Sequence, residues 1–518
     1  MMLRLARHSA LHSAAALRVA PRALLSTKVE TRLFIDGKFV DGVEKKAFAT
    51  VNPATEEVIA HVSEATEKDV DLAVAAARRA FNHNAPWRTM PSSRRRDLML
   101  KLASLIERDS KELARIESMD NGKPFAENGK VYGATADFHL VVQCLRYYAG
   151  HADKITGTTI PVDSQQLVYT IREPVGVCAA IIPWNFPALM LAWKLGPALA
   201  TGCTIVVKTS EKTPLTALKI AHLINEAGFP PGVVNILSGF GQSAGKALAM
   251  HGDVDKVAFT GSTAVGHMIE EYAAKSNLKR VTLELGGKSP VLVFNDANLD
   301  QALSVSHIGL FLNHGQCCCA GSRLYVQSGI YDEFVKRSAQ LAEKRVVGDP
   351  MDHKTEQGPL VDKIQFEKVL GFIETGKKEG AKVLAGGGRV GKKGYYVAPT
   401  VFVDAKDSST IAKEEIFGPV LTIFKFDTED EVIERANATI FGLAAGICTR
   451  DTGRALRVAS RLRAGTVWVN TYNSFDAAQP FGGFKQSGHG RELGAAGLDN
   501  YTELKTVVIP IDNPAKPV

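Results

Sequence analysis

Hydrophobic and polar positions along the chain follow two periods, and these predict helices and strands in turn. Apolar residues recur every three or four positions in 67–82 and in 93–119, which predicts two amphipathic helices. Beyond them, short apolar runs typical of buried strands alternate with segments of helical period. We expect strands at 176–182, 204–208, 233–237, 256–259 and 281–285, and helices at 215–227, 243–250 and 263–275.

A second alternating series follows a break at Gly286 and Gly287. Strands that alternate with helices predict parallel sheets with helices packed on their faces. The tail 504–511 has the pattern of one more strand, which needs an edge to pair with, and another subunit is one source of that edge. The strands of the second series are expected at 291–294, 324–326, 420–426, 443–448 and 466–470.

Composition and charge restrict the possible classes of protein. The 518 residues are 45% hydrophobic and 23% charged, which excludes wholesale disorder and collagen-like or disulfide-scaffold proteins. The net charge of +7 suggests an anionic partner only if the basic residues form a surface. The run Arg94-Arg95-Arg96 lies on a predicted amphipathic helix, where a solvated face explains it, so we expect no nucleic-acid partner.

The excess positive charge is concentrated at the N-terminus. Residues 1–26 contain four arginines and no acidic residue, and they are rich in Ala, Leu and Ser, which is typical of a mitochondrial transit peptide. Removal of this segment would lower the net charge from +7 to +3.

The most apolar region, 175–193, is interrupted by Pro183, Asn185 and Pro187, so we expect no membrane span.

Seven cysteines, three of them consecutive, make one reactive thiol a candidate, while the alternative for any single cysteine is a buried structural residue. An odd number fits no disulfide framework, and the spacing fits no zinc site, so no metal is expected. The run Cys317-Cys318-Cys319 lies between Gly315 and Gly321, which allow close backbone approach. A nucleophilic thiol needs a base or a cation nearby. His314 is adjacent in sequence, but adjacency does not provide the spatial arrangement of a Cys–His pair.

Two further positions are candidates for the chemistry of such a thiol. Glu284 lies in an apolar strand, where burial would raise its pKa toward that of a general base. The alternative is a solvent-facing side chain on an edge strand. Asn185 is held between Pro183 and Pro187 and could donate a hydrogen bond to an oxyanion; the alternative is a simple turn residue.

A glycine-containing turn predicts a site for an anionic cofactor. The segment 259–266 joins a strand to a helix, and the N–H groups of such a turn bind pyrophosphate. Thr263 stands at the second glycine position of the usual G-x-G-x-x-G pattern, so the motif alone is weak. Lys208 and Glu211, at the end of a strand, could hold ribose hydroxyls or form a solvated pair.

Seven segments taken in order resemble the aldehyde dehydrogenase superfamily, over essentially the whole chain from Thr31 onward. With the transit-like N-terminus, the chain is most similar to the mitochondrial class 2 enzymes. The segments are 183–187, 208–211, 259–266, 284–290, 315–323, 414–419 and 480–488.

The resemblance implies NAD as cofactor and assigns a role to each matching position. It implies that Cys318 is the nucleophile, Glu284 the general base and Asn185 the oxyanion donor. The implied NAD-binding residues are Ile182, Trp184, Lys208, Glu211, Gly241, Gly261, Ser262, Leu285, Glu415 and Phe417. The implied substrate tunnel is formed by Phe186, Met190, Trp193, Phe475 and Phe481, whose apolar side chains favour an uncharged aliphatic or aromatic aldehyde.

The chain departs from the family pattern beside the nucleophile. His314 stands where the family usually has Gln, and Leu312 stands where the class often has Phe. These changes affect the expected width and polarity of the tunnel but not the reaction.

Two other functions stay open: a non-catalytic protein on the same scaffold, and acyl transfer to coenzyme A. The intact Cys318, Glu284 and Asn185 favour an enzyme, and Glu284 favours water as the acyl acceptor.

The resemblance also implies an α/β fold with a Rossmann-like cofactor domain, an α/β catalytic domain and a small β oligomerisation element. We expect a transit peptide at 1–26, a cofactor domain at 27–155 and 173–286, a catalytic domain at 287–486, and oligomerisation segments at 156–172 and 487–518. The implied assembly is a homotetramer in the mitochondrial matrix, with Arg491 and Glu503 near the subunit interface.

Overall fold

The computed structural model describes residues 29–126 and 132–511, where strands and helices alternate along most of the chain. The strands are β1 (Leu33–Ile35), β2 (Lys38–Val40), β3 (Ala47–Asn52), β4 (Glu57–Ser63), β5 (Thr159–Ile160), β6 (Gln166–Pro174), β7 (Val177–Ile181), β8 (Thr204–Thr209), β9 (Val234–Ser238), β10 (Lys256–Thr260), β11 (Arg280–Glu284), β12 (Pro290–Val293), β13 (Arg323–Gln327), β14 (Lys382–Ala385), β15 (Thr400–Val403), β16 (Val420–Phe426), β17 (Ala444–Cys448), β18 (Thr466–Val469), β19 (Gly488–His489) and β20 (Thr502–Pro510). The helices are α1 (Glu67–Phe81), α2 (Ser92–Arg108), α3 (Ser110–Asn121), α4 (Ala134–His151), α5 (Pro187–Thr201), α6 (Leu215–Ala227), α7 (Lys246–Met250), α8 (Thr263–Lys275), α9 (Leu299–Phe311), α10 (Tyr331–Lys344), α11 (Lys363–Lys378), α12 (Thr410–Lys413), α13 (Glu429–Asn437), α14 (Thr452–Arg461) and α15 (Ala496–Asp499).

The first large sheet has the strand order of a dinucleotide-binding fold. Its strands run β19-β11-β10-β7-β8-β9-β1-β2, and those from β11 to β9 are parallel. β7 pairs with β8 on one side and β10 on the other, so the order of winding reverses at β7. Ligands of open α/β sheets bind outside the carboxyl ends of the strands at such a switch point. The residues that follow β7 and β10 therefore lie at a binding crevice.

The second large sheet is almost entirely parallel. Its strands run β14-β15-β16-β13-β12-β17-β18, and only β14 is antiparallel to its neighbour. Successive residues of its central strands point to different hydrophobic cores: Val291 and Val293 to one, and Leu292 to another. Gly286 and Gly287 lie in the link from β11 to β12 that joins the two sheets. This topology confirms the predicted α/β class with a Rossmann-like arrangement.

Most predicted elements agree with the observed ones, and the exceptions have physical causes. The expected helix 93–119 is two helices, because Asp109, with φ −97° and ψ 9°, interrupts it between α2 and α3. The expected helix 243–250 begins with a π-helical turn, Gly241–Gly245, before α7. α5 has no counterpart among the predicted helices, since it is buried on all sides and has no polar face to reveal its period.

The terminal strand finds its partner within the same chain. β20 pairs antiparallel with β6 over nine residues, from Thr502 opposite Pro174 to Pro510 opposite Gln166. β5 pairs with the other edge of β6, which completes a three-stranded sheet. The suggestion that β20 takes its edge from another subunit is therefore wrong for this pairing, because β6 supplies that edge. The outer edge of β20 has no pairing strand within the described part of the chain.

Two expectations concern the targeting of the chain and its relation to membranes. The transit peptide predicted at 1–26 lies outside the described residues. Among the residues that are described, no helix is both long enough and apolar enough to cross a membrane.

Candidate active site

A cavity of about 670 Å³ collects the predicted catalytic residues from both large sheets. Asn185 follows β7, Glu284 ends β11, and Cys318 lies in the loop before β13. The five predicted tunnel residues line this cavity, as do five of the predicted cofactor residues. They are Phe186, Met190, Trp193, Phe475 and Phe481, and Trp184, Gly261, Ser262, Glu415 and Phe417.

The cysteine loop is shaped by an unusual backbone turn. Asn313, His314 and Gly315 have φ values of 48°, 60° and 72°, in the left-handed region. Gly315 is required there, because a Cβ atom would lie 2.0 Å from the carbonyl oxygen of Gly418. After this turn Cys318 is partly exposed to the cavity, while Cys317 and Cys319 are buried.

The three thiols form a compact cluster. Their Sγ atoms all lie within 4.8 Å of one another, and those of Cys317 and Cys319 are 3.4 Å apart. Hydrogen bonding to Cys317, together with burial, raises the pKa of the Cys318 thiol above its ordinary value. Because the thiolate is the nucleophile, a residue that accepts the Cys318 proton is needed.

Asn185 is tied directly to the cysteine loop. Its Nδ2 donates to the carbonyl oxygen of Gln316 at 3.1 Å, and Asn313 Nδ2 donates to the carbonyl oxygen of Asn185 at 2.9 Å. Both contacts are buried, so the amide of Asn185 has a fixed position near Cys318. Such preorganised donors stabilise charge that develops in a transition state.

Glu284 ends β11 and is buried, with 7% of the residue exposed. Neither of its carboxylate oxygens has a hydrogen-bond partner among the described residues. Gly482 lies close to the carboxylate, because a Cβ atom added at this glycine would be only 2.7 Å from Oε1. Burial raises the pKa of Glu284 well above its ordinary value, and the nearby charge of Lys194 partly opposes this shift. The alternative of a solvent-facing side chain on an edge strand is therefore wrong. β11 is not the edge strand, because β19 pairs with its outer edge.

Lys194 is a residue of the site that the sequence interpretation missed. It is fully buried, donates to Thr260 Oγ1 at 2.7 Å and forms an ion pair with Glu492. Burial lowers the pKa of Lys194 to about 7, despite the opposing charge of Glu284. The signal was present, because Lys194 is the single charged side chain of the otherwise apolar α5.

A buried ionic cluster supports the tunnel wall and was also missed. Lys123 Nζ contacts Glu117 and Asp137, and lies 4.5 Å from the centre of the Phe186 ring. Glu117 Oε2 accepts a hydrogen bond from the N–H of Ala188 at 3.2 Å, at the start of α5. Burial raises the pKa of Glu117 to about 7. The cluster therefore fixes the segment that carries Asn185 and Phe186, although it does not line the cavity.

The remaining predicted cofactor residues lie outside this cavity, near the carboxyl edge of the first sheet. Lys208 lies in β8, one residue before its end, with its Nζ 3.5 Å from Glu211 Oε2, and its carbonyl oxygen accepts from Ile182 N–H at 3.1 Å. At Gly241 an added Cβ would meet nothing within 4 Å, so this turn is open. Leu285 packs closely against α8 at Gly266. A Cβ atom added at this glycine would lie 2.6 Å from the Leu285 side chain.

The nicotinamide end of the predicted site has a buried carboxylate and two rings. Glu415 Oε1 accepts from the N–H of Gly287 at 3.0 Å, and burial raises the pKa of Glu415 to about 7. The rings of Trp184 and Phe417 meet edge to face, with centroids 5.2 Å apart. Ser262 caps the N-terminus of α8 through its Oγ and Val265 N–H. A carboxylate at each end and a helix N-terminus between them fit the hydroxyls and pyrophosphate of a dinucleotide.

The two departures from the family pattern differ in position. Leu312 lines the cavity, whereas His314 is buried beneath the loop and is not among the lining residues. His314 Nδ1 accepts from the N–H of Gly358 at 3.2 Å, and burial lowers the pKa of His314 to about 3. A neutral imidazole engaged in this way is in no position to act as a base for Cys318.

Comparisons with known proteins show the family of this chain. The sequence model of the aldehyde dehydrogenase family matches residues 39–507. A mitochondrial aldehyde dehydrogenase from Mesocricetus auratus is 58% identical over 480 residues, which cover 93% of this chain and 95% of that protein. One from Homo sapiens is 57% identical over 500 residues, which cover 96% of each protein. A solved NAD+ complex of an aldehyde dehydrogenase from Bacillus cereus is 52% identical, has a TM-score of 0.91, and covers 93% of this chain and 97% of that one. The chain belongs to the aldehyde dehydrogenase family.

Proposed function

We propose that this NAD-dependent aldehyde dehydrogenase oxidises uncharged aliphatic or aromatic aldehydes to carboxylic acids, with Cys318 as nucleophile and Glu284 as general base. The observation that carries the proposal is that Cys318, Glu284 and Asn185 line one cavity together with the five apolar tunnel residues. Apolar walls bind an uncharged substrate and hold its carbonyl group near the thiol.

The first covalent step forms a bond between Cys318 Sγ and the aldehyde carbon. The proton of the thiol passes to Glu284 and from there to solvent, and the carbonyl oxygen becomes an oxyanion on a tetrahedral thiohemiacetal. Asn185 Nδ2 and the backbone N–H of Cys318 donate to this oxyanion, and one such donor is typically worth about 2.7–4 kcal/mol. Loss of hydride from the same carbon leaves a thioester on Cys318.

The second step hydrolyses this thioester. Glu284 takes a proton from water, the resulting hydroxide attacks the thioester carbon, and the carboxylic acid leaves as the Cys318 thiolate is released. The buried carboxylate of Glu284, free of protein hydrogen bonds among the described residues, is poised to accept that proton. Its presence favours water over coenzyme A as the acyl acceptor.

The cofactor would be held along the carboxyl edge of the first sheet. NAD+, when bound, supplies the acceptor for the hydride lost from the substrate carbon. Lys208 and Glu211 would contact the adenosine ribose, Ser262 the pyrophosphate and Glu415 the nicotinamide ribose. The charge of Glu211 would repel a 2′-phosphate, which favours NAD+ over NADP+.

The direct test is the formation of NADH, followed by absorbance, with propanal and NAD+. We expect turnover by the wild type and its loss, by at least about a hundredfold, in Cys318→Ala. Cys448→Ala, a buried cysteine of β17 outside the cavity, is the matched control and should retain activity. An active Cys318→Ala variant would remove this residue from the role of nucleophile.

The division of the chain into functional parts is a further component of the proposal. Residues 27–155 and 173–286 would bind the cofactor, 287–486 would carry the nucleophile, and 156–172 with 487–518 would join subunits of a homotetramer. Addition of NAD+ should slow amide hydrogen exchange around Lys208 and Ser262. Slowing confined to the second sheet would contradict this division.

The arginine-rich N-terminus and the mitochondrial relatives support import into the mitochondrial matrix, with removal of residues 1–26. Sequencing the N-terminus of protein recovered from the matrix tests this. Recovery of the uncleaved chain from the cytosol alone would contradict it.

A further inference from the structure

The backbone of Asn185 is held by two other asparagines, one on each side of its Cα atom. Asn121 Nδ2 donates to the carbonyl oxygen of Trp184 at 2.6 Å, and Asn313 Nδ2 donates to the carbonyl oxygen of Asn185 itself at 2.9 Å. These two carbonyl groups belong to the two peptide units that flank Asn185. Because each peptide unit is planar, fixing both units fixes φ and ψ of Asn185 and with them the direction of its side chain.

The side-chain amide of Asn185 is oriented by the same arrangement. Its Nδ2 carries two N–H groups, and one of them donates to the carbonyl oxygen of Gln316 at 3.1 Å. Asn313 Nδ2 donates to that same oxygen at 3.2 Å, so Asn313 joins the backbone of Asn185 to the cysteine loop. The second N–H of Asn185 Nδ2 is the one that would donate to an oxyanion formed at Cys318.

Asn121 is itself held in place at the end of α3. The residue is fully buried, and Gly122 ends the helix with φ 91°, in the left-handed region. The preceding residue, Asp120, accepts from Thr50 Oγ1 at 2.7 Å and from the N–H of Leu215 at 2.9 Å. The amide of Asn121 therefore meets the Trp184 carbonyl from a firmly anchored position, as a supporting residue of a preorganised site should.

We propose that Asn121 and Asn313 are positioning residues that orient Asn185 toward the oxyanion. Neither residue lines the catalytic cavity, so each acts on the reaction only through the segment that it holds. A displacement of about 1 Å in a catalytic group can lower a rate by about a hundredfold. The inference rests on the proposed function, in which Asn185 is the oxyanion donor, and it extends the site to the end of α3.

The test is a double-mutant cycle of Asn121→Leu and Asn185→Ala, measured as kcat/KM for propanal at saturating NAD+. Asn185→Ala alone should lose about a hundredfold or more. Asn121→Leu removes the amide at nearly constant volume and should lose about tenfold in the wild-type background. In the Asn185→Ala background the same change should lose less than about twofold, because the side chain that Asn121 orients is gone.

A matched control removes another buried asparagine. Asn235 of β9 is also fully buried, accepts from the N–H of Asp36 and donates to the carbonyl oxygen of Gly232, both at 2.9 Å. It does not line the catalytic cavity. Asn235→Leu should lower the unfolding temperature measured by calorimetry, without changing kcat/KM in either background.

The second positioning residue is tested in the same two backgrounds. Asn313→Gly removes the amide, and glycine adopts the left-handed φ of 48° at this position without strain. We expect the same pattern as for Asn121→Leu, with a loss of about tenfold in the wild-type background and less than about twofold in the Asn185→Ala background.

The outcomes separate this inference from the proposed function. Equal losses for Asn121→Leu in the two backgrounds would mean that the residue acts through the general fold or through Trp184, and would overturn the inference, as would an unchanged kcat/KM in the wild-type background. If Asn121→Leu fails to fold, Asn121→Ser removes the same amide from a shorter polar side chain and carries the same expectation. Failure of the wild type to oxidise propanal would instead contradict the proposed function.

Discussion

Glu284 and Lys194 show how burial, rather than ion pairing alone, sets the chemistry of single residues. Glu284 has no protein hydrogen-bond partner among the described residues, and burial raises its pKa well above the ordinary value. Lys194 is buried nearby with its pKa lowered to about 7, and its positive charge favours the carboxylate form of Glu284. The site therefore contains a base of increased strength beside a cation that titrates near neutrality.

The pH dependence of turnover follows from the shifted pKa of Glu284. Deacylation needs the carboxylate, so kcat should fall as the pH falls through the raised pKa of Glu284, and the midpoint should lie well above 4.5. Glu284→Gln should lose this acidic limb along with most of its steady-state rate. Glu333→Gln, an exposed residue of α10, should keep the wild-type profile of kcat between pH 5 and 9. An identical acidic limb in Glu284→Gln would assign it to another group.

At the scale of elements, the sequence predicts the helices whose bounds are set by their own hydrophobic period. It does not predict a helix whose position depends on contacts with distant parts of the chain. α6 and α8 begin and end where their own patterns predict, at Leu215–Ala227 and Thr263–Lys275. α5 was missed because burial on all sides leaves it no polar face.

The same distinction holds for the candidate site. Cys318, Glu284 and Asn185 were found because each lies in a local motif, and the structure brings them to one cavity. The ion pair of Lys194 with Glu492 joins residues 298 positions apart, which no local pattern indicates.

The cluster around Lys123 predicts a large effect on stability. Lys123→Met would leave the buried carboxylates of Glu117 and Asp137 without their cation, which typically costs about 3–5 kcal/mol. The variant should therefore unfold at a lower temperature, as measured by calorimetry, while Lys336→Met, an exposed change, should not. The triple variant Lys123→Met/Glu117→Gln/Asp137→Asn should recover part of the loss. Equal midpoints for Lys123→Met and wild type would show that the cluster contributes little.

At the scale of the whole molecule, the three-stranded sheet has an unpaired edge and exposed apolar side chains on β20. β20 presents Leu504, 63% exposed, and Val508, 51% exposed, and its outer edge has no pairing strand among the described residues. Apolar side chains beside a free strand edge favour association with another chain. This surface supports the proposed homotetramer.

Substitution of that surface should change the assembly without changing the fold. Leu504→Asp/Val508→Asp should shift the mass measured by light scattering from a tetramer to smaller species. Leu456→Asp, at an exposed apolar position of α14, is the control and should remain a tetramer. A monomeric wild type would contradict the tetramer, and a tetrameric double variant would place the interface elsewhere.

The most direct test of the central claim is to locate the acyl intermediate by mass spectrometry. Glu284→Gln is mixed with propanal and NAD+, quenched in acid and digested, and the peptide that contains the three cysteines is fragmented. If Cys318 is the nucleophile and Glu284 the base for hydrolysis, a propionyl group accumulates on Cys318 and is absent from Cys318→Ser/Glu284→Gln. A propionyl group on Cys317 or Cys319, or rapid steady-state turnover with no accumulated adduct, would contradict the account.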